Sequence, residues 1–488
     1  RPLPLLCVSL GLLLLFFLAL ATSRASAAEE AGNGELLCRF GAGVYRDLPA
    51  TDFDLAALRV GWIVNFTASE TPTVPAGMTY APLVDLRQVG EDDYAPKGPA
   101  LDAAIAANPG ADWLLGTEPD RPYLLYAMEP AVYAHAYHDL YAYIRARDPE
   151  AHIFPAGIVQ PTPLRLQYLD LVLEAYQARY GVPLPADGWS IHNFMLNERS
   201  CAVYPDDCWG AEIPPGVDAD EGLRATPVDS IDVERFVAQL YAFRRWMVER
   251  GYTNQPLYIS EYGMLMPPDL PPGFPPPVVS EFMTRTFAAM ATEADPELGY
   301  APDGGRLVQR FAWYATVEPY FNGGLWASTN YTNPLSPPYV LTPIGAAYRD
   351  YTAGLPATTD LASLELAGTD AGSPGAAGPL TVALTATVSN SGSRAATTTA
   401  SVRFYVALPG GGALQLGDPQ TIALSGCGAT AVVTATTTLP TPAALQGLPV
   451  YVEVTSAGHP DIDPTNNRAG PWLLPGPRVY LPAIRGSP

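Results

Sequence analysis

Two carboxylates in this chain stand where an apolar run ends. Glu118 closes Asp112-Trp113-Leu114-Leu115-Gly116-Thr117-Glu118, and Pro119 follows it, which forbids further ladder pairing. Glu261 closes Pro256-Leu257-Tyr258-Ile259-Ser260-Glu261 and is followed by Tyr262. A glutamate at the inner tip of a strand is costly to bury without a task. A facing pair has a definite one. One carboxyl protonates a leaving oxygen while the other, ionised, attacks the anomeric carbon of a sugar, the two standing about 5–5.5 Å apart. The chemistry expected of the pair is hydrolysis of a glycosidic bond with retention. The plainer alternative is a rim salt bridge, with Arg39 or Arg310 as the partner.

Strand alternation decides what would accompany them inward. If Glu118 points into the mouth of a barrel, so do Gly116 and Leu114; if Glu261 does, so do Ile259 and Leu257. In Trp189-Ser190-Ile191-His192, an inward His192 could bond the nucleophile or a sugar hydroxyl, the alternative being a satisfied core histidine. Tyr262, next to Glu261, could orient it. Asn65 is a further candidate for sugar contact, although Asn65-Phe66-Thr67 also matches a glycosylation sequon.

The elements that must position these side chains alternate. Strand-like runs cover Phe40–Tyr45, Arg59–Phe66, Thr79–Leu86, Asp112–Glu118, His152–Gln160, Gly188–Met195, Leu257–Met264 and Leu307–Thr316. Amphipathic segments fall between them, clearest at Ala131–Arg147, Leu164–Tyr180, Val233–Gly251 and Val278–Thr292, and a final helix is expected at Pro343–Tyr351. Eight such repeats over residues 36–355 predict an α/β fold, a (β/α)8 TIM barrel, whose chemistry sits at the carboxyl ends of the strands. Two long loops leave those ends, Asn197–Asp232 and the proline-rich Met266–Pro277, and both should wall the site. An abrupt shift to Ala, Gly, Ser and Thr predicts a linker at 356–373. Short alternating strands at 374–470 then predict an immunoglobulin-like β-sandwich, followed by a tail at 471–488.

A glutamate ending the fourth strand before proline, with a second ending the seventh in Ile-Ser-Glu-Tyr-Gly, resembles clan A of the glycoside hydrolases over Leu36–Leu355. The resemblance implies Glu118 as acid/base and Glu261 as nucleophile, and it makes Trp313 in Phe311-Ala312-Trp313-Tyr314 the platform beneath the sugar. In one position the chain departs from the clan, which usually carries Asn before the acid/base to bond the sugar 2-hydroxyl. Thr117 stands there, with a hydroxyl but without the amide's reach and second donor. The second domain resembles the bacterial cell-adhesion-related module called CARDB, through Val388-Ser389-Asn390-Ser391-Gly392, Val402-Arg403-Phe404-Tyr405 and Asp463-Pro464-Thr465-Asn466-Asn467. Such modules resemble spacers or adhesion units, which implies cell-surface association.

A formal charge of −22 argues against nucleic acid, since phosphate binding needs a basic face. Residues 1–27 combine a basic start, an apolar block and Ala25-Ser26-Ala27, the pattern of a secretory signal, with an uncleaved anchor as the alternative. Export permits disulfides. Cys201 and Cys208 flank a polar turn and should pair, whereas Cys38 and Cys427 fall in different predicted domains, which argues against a bridge between them. With only five histidines and no Cys/His spacing of a zinc site, neither metal nor cofactor is expected. Ser260 lacks a nucleophile-elbow setting, Gly410–Gly412 reads as a hairpin loop, and Asp461–Asn467 as a polar turn before a calcium loop. The reading is a secreted or cell-surface monomeric hydrolase of a polysaccharide or oligosaccharide. The alternative is a weak or inactive carbohydrate-binding protein on the same fold, suggested by Thr117.

Overall fold

The computed structural model describes residues 35–46, 48–86, 94–122, 127–267, 270–271, 273–372, 380–439 and 442–475. The expected leader at 1–27 and the expected tail beyond residue 475 lie outside the described residues. Among those described, no helix is long and apolar enough to cross a membrane.

The first domain is a mixed α/β unit. Its strands are β1 (Leu37–Gly43), β2 (Val60–Val64), β3 (Thr79–Ala81), β4 (Leu83–Leu86), β5 (Tyr94–Ala95), β6 (Asp112–Thr117), β7 (His152–Gly157), β8 (Trp189–His192), β9 (Leu257–Gly263) and β10 (Arg310–Tyr314). Six form one curled parallel sheet in the order β3-β2-β1-β10-β9-β8; β4, β6 and β7 form a second parallel group with β5 antiparallel on its edge. The expected closed ring of eight strands is found instead as two curled sheets that meet along two seams. At one seam Pro82, which has no N–H to donate, splits the predicted third strand into β3 and β4. At the other, a lone parallel bridge joins Ile158 to Ile191.

Helices α1 (Pro99–Ala107), α2 (Pro130–Arg147), α3 (Pro163–Tyr180), α4 (Val233–Glu249), α5 (Pro276–Thr292) and α6 (Pro343–Ala353) cover the sheets' outer faces. Five of the six begin with proline, whose fixed φ suits the first turn; α4 is capped instead by the Asp232 carboxylate, which accepts from the N–H groups of Glu234 and Arg235. In α5 the buried positions Val279, Phe282, Met283, Thr286, Phe287 and Met290 keep helical spacing, so one stripe meets the sheet. The main core lies between sheets and helices, and a smaller one, including Trp62, Leu114, Phe154, Tyr258 and Ala312, fills the concave side.

Before α6 lies a short antiparallel pair, β11 (Trp326–Ser328) and β12 (Tyr339–Leu341). After α6 the chain builds a two-sheet antiparallel sandwich: β13 (Leu361–Gly372), β14 (Leu380–Asn390) and β17 (Ala429–Leu439) in one sheet, with β16 (Ala413–Leu424), β15 (Thr398–Ala407), β18 (Pro449–Ser456) and β19 (Arg468–Leu473) in the other. Alternate residues of β14 and β15 meet in a shared core. The segment expected as a linker is therefore corrected. Residues 361–372 are the first strand of the sandwich, paired along β14. Leu361, Leu364 and Leu366 break period-two alternation, so the segment carries little strand signal, and the backbone ladder supplies the order. Gly410 and Gly411, both at positive φ, turn the β15–β16 hairpin.

The two domains are joined at the amino end of β1. Leu37 bridges Arg394, the Cys38 N–H donates to the Ser393 carbonyl at 3.0 Å, and buried Arg39 pairs with Asp303 while reaching the Ser391 carbonyl at 3.3 Å. Cys38 is disulfide-bonded to Cys427, against expectation. The two cysteines are far apart in sequence but adjacent in space, because the amino end of β1 packs against the turn that follows β14. Cys201 and Cys208 are also bridged, within the long loop after β8.

Candidate active site

Neither glutamate reaches the mouth by regular alternation. In β6, Leu114 faces the concave core and Leu115 the helix layer. Gly116 then adopts φ +100°, a backbone open to glycine, and a Cβ there would press on Leu86 and Ala156. The kink lets Thr117 and Glu118 both line the cleft, Glu118 itself at φ +43°. A left-handed glutamate is strained by about 1–3 kcal/mol and persists where the surroundings fix it. In β9 the device is a bulge: Ile191 pairs with Ile259 but His192 pairs with Glu261, so β9 holds one extra residue. Leu257 and Ile259, expected inside, face the helices, Tyr258 faces the concave core, and the bulge turns Glu261 to the cleft.

One oxygen of Glu118, one of Glu261 and one nitrogen of His192 lie within 4.8 Å of one another. His192 stands between the carboxylates, Nδ1 at 3.0 Å from Glu118 Oε1 and Nε2 at 3.7 Å from Glu261 Oε2. An ionised carboxylate only accepts, so Nδ1 carries the proton in this bond. The Arg121 guanidinium holds the other Glu118 oxygen at 3.1 Å. Burial resists ionisation of Glu118, but the Arg121 charge and the His192 hydrogen bond outweigh it and hold the carboxyl at about 2. Among the described residues no guanidinium forms an ion pair with Glu261, and the charge of Arg121 acts on it only from farther off. Burial pushes it up to about 7, eased by the charge of His192 and reinforced by that of Glu118. Burial likewise resists charging of His192, yet the two glutamates raise it above its ordinary value. The resting site thus has one ionised carboxylate and one that keeps its proton to near neutrality. Glu118, His192 and Glu261 could also ligate a metal ion, although Arg121 already places a positive charge on Glu118.

These groups open into a cleft of about 980 Å³. Of the other residues expected there, Thr117 lines it, with Oγ1 3.5 Å from His192 Nε2. Trp313 does not. Strand β10 alternates Phe311 out, Ala312 in, Trp313 out, so the indole is fully buried in the helix layer and donates to the Gly323 carbonyl at 2.7 Å. Tyr262 also points outward, its ring edge-on to Trp313. Asn65 lies outside the cleft lining and accepts from the Tyr80 hydroxyl at 2.8 Å. The suggested salt-bridge partners are elsewhere too: Arg39 binds Asp303, and Arg310 binds Asp112 at 2.9 Å, at the opposite end of β6.

Several cleft residues were not anticipated. Arg121 was readable in principle, three positions beyond Glu118 around the Pro119 turn. Tyr314 lines the cleft in place of its neighbour Trp313, and Trp209 enters from the disulfide-bearing loop. Beneath them Arg165, wholly buried, holds Asp120 at 2.6 Å and Glu198 at 2.9 Å, and also binds the carbonyls of Ala211 and Glu212. This network ties the Glu118 turn to α3 and to the long loop. An arginine in the first turn of an amphipathic helix gives no sequence sign that it is buried.

No family model matches the chain, and no curated protein does. Solved structures similar to it include glycoside hydrolases. One is a GH128 subgroup I endo-β-1,3-glucanase from Amycolatopsis mediterranei in complex with laminaritriose, at 16% identity over 64% of this chain and 99% of that one, TM-score 0.40. A second is a glucosidase from Croceicoccus marinus, at 13% identity over 82% and 93%, TM-score 0.38. A third is a family 51 α-L-arabinofuranosidase from Bifidobacterium longum, at 11% identity over 83% and 97%, TM-score 0.39.

Proposed function

We propose that this chain is an exported glycoside hydrolase that cleaves O-glycosidic bonds with retention, Glu118 serving as acid/base and Glu261 as nucleophile. The observation that carries this is the separation of the two carboxylates, within 4.8 Å for the nearest ligand atoms. That spacing suits direct attack on the anomeric carbon and leaves no room for the water of an inverting enzyme, which needs about 6.5–9.5 Å. In the resting site the proton resides on Glu261. For Glu118 to protonate the leaving oxygen, the proton must pass across the pair, and His192 stands between the two carboxylates. Glu261, once ionised, attacks; water then releases the glycosyl group with Glu118 as base. The substrate is a polysaccharide or oligosaccharide, the protein acts as a monomer, and the sandwich serves as a CARDB-like surface module. Export rests on the leader-like residues 1–27 and is consistent with two disulfides.

A second reading, a carbohydrate-binding protein with little turnover, is favoured by one observation: Arg121 holds ionised the very carboxyl that has to donate a proton. Hydrolysis assays on a panel of polysaccharides and aryl glycosides decide between them. Wild-type turnover that vanishes in Glu261→Gln supports the hydrolase. Binding without turnover in the wild type supports the second reading.

A further inference from the structure

The cleft is polar around the carboxylates and again where Tyr45 and Arg46 line it; the rest of its wall is apolar. Its floor carries Glu118, Glu261, Thr117, Arg121 and Tyr314, whereas Leu196, Leu265, Met266, Leu270 and Leu335 converge on it from the loops after β8 and β9 and from the segment between β10 and α6. A neutral sugar presents hydroxyls around its whole rim, and each needs a partner once water is excluded. Aromatic faces can stack on a sugar's C–H surface, and Trp209 and Phe321 offer that. Aliphatic side chains offer neither stacking nor a hydrogen bond. A cleft of about 980 Å³ with such walls suits an apolar group covalently attached to the sugar at the floor.

We propose that the leaving-group side of the cleft accommodates an apolar aglycone, so that the substrate class is glycosides of long-chain or ring hydrocarbon alcohols. This rests on the hydrolase reading but replaces its polysaccharide or oligosaccharide substrate with a sugar joined to an apolar alcohol. The Glu261 carboxylate forms an ester bond to the anomeric carbon as the anomeric C–O bond to the aglycone breaks, the acid's proton goes to the leaving oxygen, and the aglycone departs as a neutral alcohol. Water then cleaves the ester, supplies the new anomeric hydroxyl and returns a proton to the acid. The apolar walls would favour that alcohol portion in the bound substrate. They also exclude water from the carboxylates, which strengthens the electrostatics on the floor.

The test uses the full chain with Glu261→Gln to suppress turnover, titrated calorimetrically with methyl, butyl, hexyl and octyl β-glucosides, galactosides and mannosides below their micellar concentrations. Short β-1,3- and β-1,4-glucan oligosaccharides are titrated in parallel. Affinity is expected to tighten about three- to fourfold per added methylene. Leu265→Asn and Leu270→Asn, in half-exposed loop positions, are expected to flatten that ladder without changing thermal unfolding. A flat or absent ladder, or oligosaccharides binding tighter than octyl glycosides, overturns the proposal. Turnover is read separately in the wild type. A steep ladder without turnover of any glycoside sinks the hydrolase reading and leaves the apolar subsite standing, and oligosaccharide turnover with a flat ladder does the reverse.

Discussion

His192 donates through Nδ1 to Glu118 at 3.0 Å, a hydrogen bond that crosses from one curled sheet to the other at the end where the cleft opens. Its other nitrogen faces Glu261 at 3.7 Å. A side chain so placed orients both carboxylates and stands where a proton would cross between them. His192→Ala is therefore expected to lower kcat/KM by about 10²-fold, and to raise the acid limb of the pH profile because Glu118 loses a donor that favours its ionised form. His192→Asn, which keeps a donor, should recover part of the loss. Equal losses in both variants with an unmoved pH profile would reduce His192 to packing.

The pair holds one proton between the two carboxyls from about pH 2, set by Glu118, to about pH 7, set by Glu261. The kcat/KM of the free enzyme should fall as pH rises through about 7. Arg121 lowers the proton affinity of both carboxyls, so Arg121→Gln should move both limbs to higher pH. A profile of the variant superimposable on the wild type would show that Arg121 does not govern the pair.

Stability should move opposite to activity at Glu261. Its folded-state value of about 7 lies above the ordinary carboxyl value, so the buried site favours the protonated form. The penalty is absent at low pH, grows as pH rises from the unfolded value, and is complete above about 7. Glu261→Gln removes the charge. We expect it to be inactive and, above pH 8, more stable by an amount on the order of 3 kcal/mol, with the gain disappearing near pH 4. Denaturant unfolding at both pH values measures this, and a gain equal at both would contradict the electrostatic origin.

The strand-helix order was readable because apolar runs and amphipathic segments alternate, and the two glutamates were readable because each closes an apolar run, Glu118 with proline after it. What was not readable depends on departures from period two. The Gly116 kink and the β9 bulge keep the carboxylates inward while reversing what was expected of Leu257 and Ile259, and Trp313 follows the outward phase set by small Ala312. Contacts distant in sequence were equally silent, as with Cys38 and Cys427, separated by 389 positions.

That bridge closes a long loop through the whole chain, so its removal should loosen the unfolded state by a few kcal/mol on the chain-entropy account. Cys38→Ser with Cys427→Ser is expected to lower the unfolding midpoint and to split one transition into two, as the sandwich separates from the α/β domain. Arg39 and its partners still join the domains, so catalysis at low temperature should be unchanged. A single unshifted transition in calorimetry would mean the backbone contacts at β1 suffice alone.

Thr117 stands where the clan A resemblance implies an asparagine. It lines the cleft beside Glu118, and its Oγ1 stands 3.5 Å from His192 Nε2, too long to fix the hydroxyl firmly. An asparagine amide extends farther and adds a donor, the group that the clan A resemblance implies on the sugar 2-hydroxyl. A donor whose bond strengthens as charge develops acts on the transition state more than on the bound ground state. Thr117→Asn should therefore raise kcat by about 10- to 100-fold with little change in KM, on whichever glycoside the wild type cleaves. The amide must share the space with His192, so the gain should shrink in the His192→Ala background, where the ring no longer braces Glu118. A kcat that stays at the wild-type level in a correctly folded Thr117→Asn protein would show that the threonine hydroxyl already meets the sugar, and that the departure from asparagine has no catalytic penalty.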